Sequence, residues 1–299
     1  MKFFFFFFLV LMIFLLVEML AFQIVLAEEN LVDPDIPESW YQAPRLASEM
    51  NIKEFNQSPI LEEKVKNGNL PEVEKRLPDD PPIIEPYSEI GKYGGTVSVW
   101  GTNLSQWNFN LYVWRHFMGG RPAPDLSKLL PSYFKGWEYS NDYKDITIYL
   151  RKGVKWSNGA SLTANDIIYW WKHEANNKHI SPVPPEKWNP PLLDVTKEDD
   201  WTVTYHYGEK SPNQILSLRS ILGWPCSEYL KQFHPAFIGE EKAQKMADEA
   251  GLAHWSDFYS RIKSDSPLHP EYDYQCPTLS PFVAVERTET YLLFERNPY

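Results

Sequence analysis

The chain has little of what catalysis usually requires. Its 299 residues contain no G-x-S-x-G elbow and no phosphate-cradling glycine loop. His173-Glu174 is followed next by His179, a spacing that does not put two imidazoles on one helix face, so a zincin site is excluded. Gly91 to Gly95 does not have the G-x-G-x-x-G spacing and has no strand in front of it, and is therefore no dinucleotide fingerprint. Basic residues are in deficit: 29 Lys and Arg face 40 Asp and Glu, for a net charge of −11, and no basic stripe offsets this. An acidic surface repels phosphate backbones, which excludes a nucleic-acid partner. Cysteine is nearly absent, and Cys226 and Cys276 have no further ligands nearby to build a zinc site. No catalytic residue, metal or cofactor is therefore expected. Glycine is also scarce, at 14 residues against 25 prolines, which favours ordered, extended connections over flexible ones.

What is present begins with a leader. Lys2 precedes an unbroken apolar run from Phe3 to Val17, and Val25-Leu26-Ala27 supplies a cleavage site before Glu28-Glu29-Asn30. Residues 1–27 read as a signal peptide. The competing reading is an uncleaved membrane anchor, which Glu18 opposes, because an acid near the middle of a spanning helix costs about 3 kcal/mol. No cysteine stands at the cleavage point to carry a lipid. The chain is thus expected to be secreted across the cytoplasmic membrane, to the periplasm or the extracellular cell surface. In such an oxidising compartment Cys226 and Cys276 are expected to form a disulfide, worth roughly 4 kcal/mol by loop closure, the alternative being two buried thiols.

Residues 28–90 read as a proline- and acid-rich extension that wraps the surface, interrupted by one helix over 60–66. Alternation predicts a strand from Thr96 to Trp100, ended by Gly101-Thr102-Asn103. Ligands bind beyond strand C-terminal ends in open α/β sheets, so Thr102 and Asn103 are candidate binding residues. Ile146, Ile148 and Leu150 alternate with Thr147, Tyr149 and Arg151, which predicts a strand over 145–151. Thr163 stands three residues before Asp166, a capping-box spacing, and Ile167, Trp170 and Trp171 then fall on one core-facing helical face. A further strand is expected over 201–207. Ala243, Met246, Ala247 and Ala250 form a helical stripe stopped by Gly251, and two strands are expected over 282–286 and 291–295. The fold class is mixed α/β.

The block from Tyr143 through Asp166 resembles the signature region of family 5 extracellular solute-binding proteins, the peptide, nickel and oligosaccharide receptors of ABC importers. Gly91-Lys92-Tyr93-Gly94-Gly95-Thr96, Asp199-Asp200-Trp201-Thr202-Val203 and Glu295-Arg296-Asn297-Pro298-Tyr299 are similar to further family segments in the same order. Asn69 to Pro78 is similar to one subgroup's extension. Asn158 replaces a commoner aspartate and Ser161 a commoner proline, both with turn chemistry preserved.

The resemblance implies a periplasmic-binding-protein type II-like lobe with an inserted subdomain. Residues 91–125 and 277–299 would form the first ligand-binding lobe, and 126–276 the insertion. It also implies that the second lobe is missing and that the chain corresponds to an N-terminal half. The implied function is capture of oligopeptides or oligosaccharides by lobe closure, with delivery to ABC permease subunits in the membrane. Twelve tryptophans tilt the ligand toward sugar, and Trp107 and Trp224, in predicted loops, join the candidate binding residues. The rival readings are a secreted carbohydrate-active enzyme with two cleft carboxylates, or a membrane-tethered sensory or structural protein.

Overall fold

The computed structural model describes residues 36–98, 119–218, 224–263 and 276–299. The proline-rich extension forms a strap. Prolines withhold backbone donors, so its pairing is short: β1 (Arg45–Leu46) runs antiparallel to β2 (Pro82–Ile83). Between them lies α1 (Pro59–Lys66), which starts on a proline and carries Lys64 and Lys66 in its last turn, where cations suit the helix dipole. The strap is tied down by specific bonds. Lys64 pairs with Glu295 at 2.9 Å. Arg76, only 4% exposed, donates to the carbonyls of Pro71 and Pro298 and to Gln57. Asp79 donates its backbone N–H to Lys152 O at 3.1 Å.

The strand expected from Thr96 is not formed in its described part. Thr96 to Ser98 belong to no strand, and Val97 is 83% exposed. Alternation needs a neighbouring strand to become a ladder, and none pairs with this segment among the described residues. The signal peptide, Val99, Trp100, Thr102, Asn103 and Trp107 lie outside the described residues.

After the hairpin of β3 (Gly120–Pro122) and β4 (Leu129–Pro131), the chain builds a four-stranded antiparallel sheet. Its strands are β5 (Phe134–Tyr139), β6 (Asp145–Leu150), β7 (Leu192–Lys197) and β8 (Thr202–Tyr207), in the order β5-β6-β8-β7. The alternation in β6 sends Ile146, Ile148 and Leu150 into the core and leaves Thr147 and Tyr149 partly exposed. Ile146 lies opposite Tyr205 and Ile148 opposite Val203, so the apolar faces of adjacent strands coincide. On the other face Thr147 and Thr204 share a hydroxyl hydrogen bond of 2.9 Å.

A tight turn follows β6. Gly159 has φ +88°, and Trp156 O accepts its N–H at 2.8 Å. Thr163 then caps α2 (Ala164–Tyr169) with the expected capping box. Past Tyr169 the helix widens into a π turn over Trp170–Ala175. This turn buries Glu174 to 2% exposure, where it accepts from Tyr259 and pairs with Lys263, each at 2.5 Å. Ile167 and Trp171 enter the main core as expected, but Trp170 stays only partly buried.

A second apolar cluster gathers around α6 (Glu240–Glu249) and α7 (Trp255–Lys263), after three short helices, α3 (Gln214–Leu218), α4 (Ser227–Leu230) and α5 (Pro235–Ile238). Gly251, at φ +73°, ends α6, and Leu252 N–H bonds back to Ala247 O at 2.8 Å. Finally β9 (Phe282–Arg287) and β10 (Leu292–Arg296) form the expected hairpin, with a bulge at Leu293/Phe294.

The expected disulfide between Cys226 and Cys276 is not formed. Cys226 packs with the sheet and α2, whereas Cys276 packs against the α6–α7 cluster, so the two sulfurs belong to different cores. Burial pushes the Cys226 thiol up to about 12, with backbone donation from Tyr229 opposing and the nearby charge of Asp166 adding to it.

Candidate ligand cavity

Alternation along β8 puts Val203, Tyr205 and Tyr207 on one face. Toward the end of the strand the aliphatic surface gives way to two phenols, whose hydroxyls require partners once buried. A cavity of about 270 Å³ opens over them. Trp170, from the first residue of the π turn, and Trp188, from the loop before β7, form aromatic walls with ring centroids 6.1 Å apart and planes inclined by 40°. Trp170 also meets the Tyr205 ring at 6.5 Å. Asn189, Gln214 and Ser217 supply amide and hydroxyl groups, and Pro190, Leu192 and Leu218 complete the lining.

Trp224 reaches this site. It is 9% exposed, packs on Phe134 at 5.6 Å and lines the cavity, so it serves both core and wall. It is the one predicted binding residue that the described structure places; Thr102, Asn103 and Trp107 are outside it.

None of the described residues lining the cavity carries a formal charge. Burial holds the Tyr205 phenol far above the usual tyrosine range, with Tyr207 adding to the shift and the Trp224 indole opposing it. Tyr207 is likewise held up by burial, against a side-chain hydrogen bond from Gln214. Both therefore remain neutral donors across the physiological range. Tyr205 is fully buried, and its hydroxyl makes no hydrogen bond of acceptable geometry among the described residues; the indole of Trp224 influences it without reaching such geometry.

Tyr205, Tyr207, Trp170 and Trp188 were not singled out as binding residues by sequence reasoning. The available signal was the pair of phenols on the apolar face of β8, whose hydroxyls need partners once buried. Four of the histidines group elsewhere. His173 and His234 pack edge to face at 5.3 Å, and His179 stacks on His254 at 4.8 Å, within an aromatic cluster with Tyr169, Phe237 and Trp255. No group of three or more His, Cys, Asp or Glu side chains is placed to hold a metal ion among the described residues.

Comparison with known proteins places this architecture. Residues 128–299 match the family described as bacterial extracellular solute-binding proteins, family 5 Middle. A periplasmic alpha-galactoside-binding protein of Rhizobium meliloti is 26% identical over 289 residues, covering 83% of this chain and 36% of that protein. The periplasmic oligopeptide-binding protein OppA of Haemophilus influenzae is 31% identical over 103 residues, 29% of this chain and 19% of its own length. Among solved structures, an oligopeptide-binding protein OppA superposes with a TM-score of 0.70 at 30% identity, over 88% of this chain and 40% of that one. The periplasmic binding protein MelB of Agrobacterium fabrum, solved with stachyose, shares the fold at a TM-score of 0.59 and 22% identity, over 89% of this chain and 41% of its own. The chain thus spans well under half the length of these relatives.

Proposed function

The chain belongs to the family 5 bacterial extracellular solute-binding proteins, and from that membership we infer that it serves as the substrate-binding component of an ABC importer. It captures an oligosaccharide or oligopeptide outside the cytoplasmic membrane and delivers it to a membrane permease. Capture works by closure of two lobes about the solute, with no covalent chemistry, and the closed form is what the permease recognises. On this reading residues 126–276 are the subdomain inserted into the first lobe, and residues 1–27 direct export.

Between the two solute classes, the reading favours an oligosaccharide. The observation that carries this is the tryptophan-walled cavity over Tyr205, whose described lining residues carry no formal charge. It agrees with the breadth of the match to a relative named for alpha-galactosides, which extends over 83% of this chain, against 29% for the OppA relative from Haemophilus influenzae.

The test is calorimetric titration of the exported protein with stachyose, raffinose and mixed tripeptides. Saturable heat with the galactosides is the expected result. Heat with the tripeptides alone would move the reading to peptide transport. Silence with all of them, together with turnover of a chromogenic galactoside, would replace the receptor with a carbohydrate-active enzyme.

A further inference from the structure

We propose that Asn67-Gly68 is a modification site, the pair at which the folded chain deamidates, and that the reaction releases the strap from β10.

An asparagine followed by glycine is open to this chemistry because glycine has no Cβ to crowd the approach of its backbone nitrogen. The chain carries two such pairs, Asn67-Gly68 and Asn158-Gly159, and both asparagines are exposed. The step is internal. The Gly68 nitrogen attacks Asn67 Cγ, an N–Cγ bond forms, and the Cγ–Nδ2 bond breaks. The proton lost from the Gly68 nitrogen leaves with the amide group as ammonia. Water then opens the cyclic imide at either carbonyl and leaves an aspartate or an isoaspartate. Water is the only co-reactant, and nothing is oxidised or reduced.

The sequence treats the two pairs alike, but the fold does not. Asn158 Oδ1 accepts from Ala160 N–H at 3.1 Å, and Gly159 N–H donates to Trp156 O at 2.8 Å. That turn is pinned from outside. Ser157 N–H donates to Thr278 O at 3.0 Å, and its hydroxyl accepts from Thr278 N–H at 3.0 Å. The Tyr299 ring lies so close to Gly159 that a Cβ there would meet it at 2.8 Å. Both reacting groups are therefore held by residues distant in the chain.

Asn67 stands instead at the free end of α1. Its side chain makes no hydrogen bond among the described residues, and a Cβ on Gly68 would have nothing within 4 Å. Only local bonds hold the turn: Gly68 N–H donates to Val65 O and Asn69 N–H to Lys64 O, each at 2.9 Å. These are the two bonds of a Schellman closure. A terminal helical turn opens locally at far less cost than the whole fold, and opening frees the Gly68 nitrogen to reach Asn67 Cγ.

The product does not fit the turn it came from. An isoaspartate carries the main chain through Cβ, and the added backbone atom separates Asn69 N–H from Lys64 O. Either product also sets a carboxylate at the C-terminal end of α1, where the helix dipole disfavours it. Lys64 is both the acceptor that closes this turn and the side chain that pairs with Glu295 of β10 at 2.9 Å. Losing the turn therefore loosens the tie between strap and hairpin.

The test is incubation of the full chain in mildly alkaline buffer, native and in urea, followed by tryptic digestion and tandem mass spectrometry of both asparagines. Denatured rates give each pair its intrinsic reactivity. Folding is expected to slow Asn158 at least fivefold more than Asn67. Equal protection of the two, or stronger protection of Asn67, would overturn the site. Brief native trypsinolysis at Lys75 reads the release, with Asn67→Gln, whose longer side chain closes the ring poorly, incubated alongside. The incubated native chain is expected to be cut several times faster than Asn67→Gln, and equal rates would overturn the release.

Discussion

Asp166 accepts a hydrogen bond from the backbone N–H of Ser227 at 2.9 Å, across 61 residues of chain. Its other carboxylate oxygen accepts from Thr163 N–H at 3.0 Å, closing the capping box, and from the Trp156 indole at 3.4 Å. One side chain therefore caps α2, steadies the tryptophan of the preceding turn and ties the start of α4 to both. Burial holds the Asp166 carboxyl above the usual carboxylate range, against the opposing hydrogen bonds from Ser227, Thr163 and Trp156. The local cap and the tertiary tie are the same group.

Asp166→Ala should accordingly cost more than an ordinary cap. A lost N-cap partner costs about 1 kcal/mol, and the stranded buried donors at Ser227 and Trp156 raise the total to about 3 kcal/mol. Asp166→Asn, which retains one acceptor oxygen, should cost roughly half of that. Urea denaturation of the two variants measures the difference, and equal midpoints would show that the Ser227 tie contributes nothing.

Gly153 holds φ +82°, and a Cβ there would sit 2.8 Å from both the backbone nitrogen and the Oδ1 of Asp79. Gly153→Ala combines a left-handed cost of about 1–2 kcal/mol with a collision that pushes the strap away. Gly68, at φ +72°, has nothing within 4 Å of the same position. Gly68→Ala should therefore cost only the backbone part. Limited trypsinolysis is expected to cut at Lys75 much faster in Gly153→Ala than in Gly68→Ala, and similar rates would argue against strap packing at this point.

His234 is buried and neutral. Its Nε2 donates to His173 O at 3.1 Å, and its Nδ1 accepts from Ala236 N–H at 3.2 Å, capping α5. Burial pushes its pKa from 6.5 to about 4, with the His173 carbonyl opposing and the His173 ring adding to the shift. The unfolded chain takes up a proton near pH 6.5, before the folded one does. Stability is thus full above pH 6.5 and is lost as pH falls from 6.5 toward 4, on the order of 2 kcal/mol from this residue. Denaturant midpoints measured across that window should fall less steeply in His234→Asn, which can still cap α5 but does not titrate. An unchanged slope would assign the acid sensitivity elsewhere.

The Cys226 thiol, buried and raised to about 12, should be inert in the native state. In a Cys276→Ser background, Ellman's reagent is expected to find no thiol until denaturant is added, and then one. Prompt native reactivity would contradict the burial of Cys226 in the sheet core.

The elements legible in the sequence are those whose determinants lie within a few residues. The alternation in β6, the Thr163–Asp166 box and the Gly251 stop each describe backbone groups satisfied by near neighbours, and each formed where the residues placed it. The strand expected from Thr96 was less secure for the opposite reason, since a strand is completed by a partner that its own residues do not name. The disulfide expectation failed on the same ground: two cysteines in one chain say nothing about which core each will enter. Trp170 packs against the main core as its helical position suggested, and at the start of the π turn it also lines the cavity, which nothing in its spacing indicates.

The sequence by itself determined the mixed α/β class, which follows from periodicity, and it carried the resemblance to the family in motif segments such as Tyr143 to Asp166. Tertiary structure alone decided the cavity. Its walls come from the π turn, the loop before β7, β8, α3 and Trp224, which are separated along the chain and converge only when the sheet is covered. The Tyr205 hydroxyl, which makes no hydrogen bond of acceptable geometry among the described residues, shows the physical reason. Whether a buried polar group finds a partner depends on every element packed around it, and no spacing along the chain encodes that.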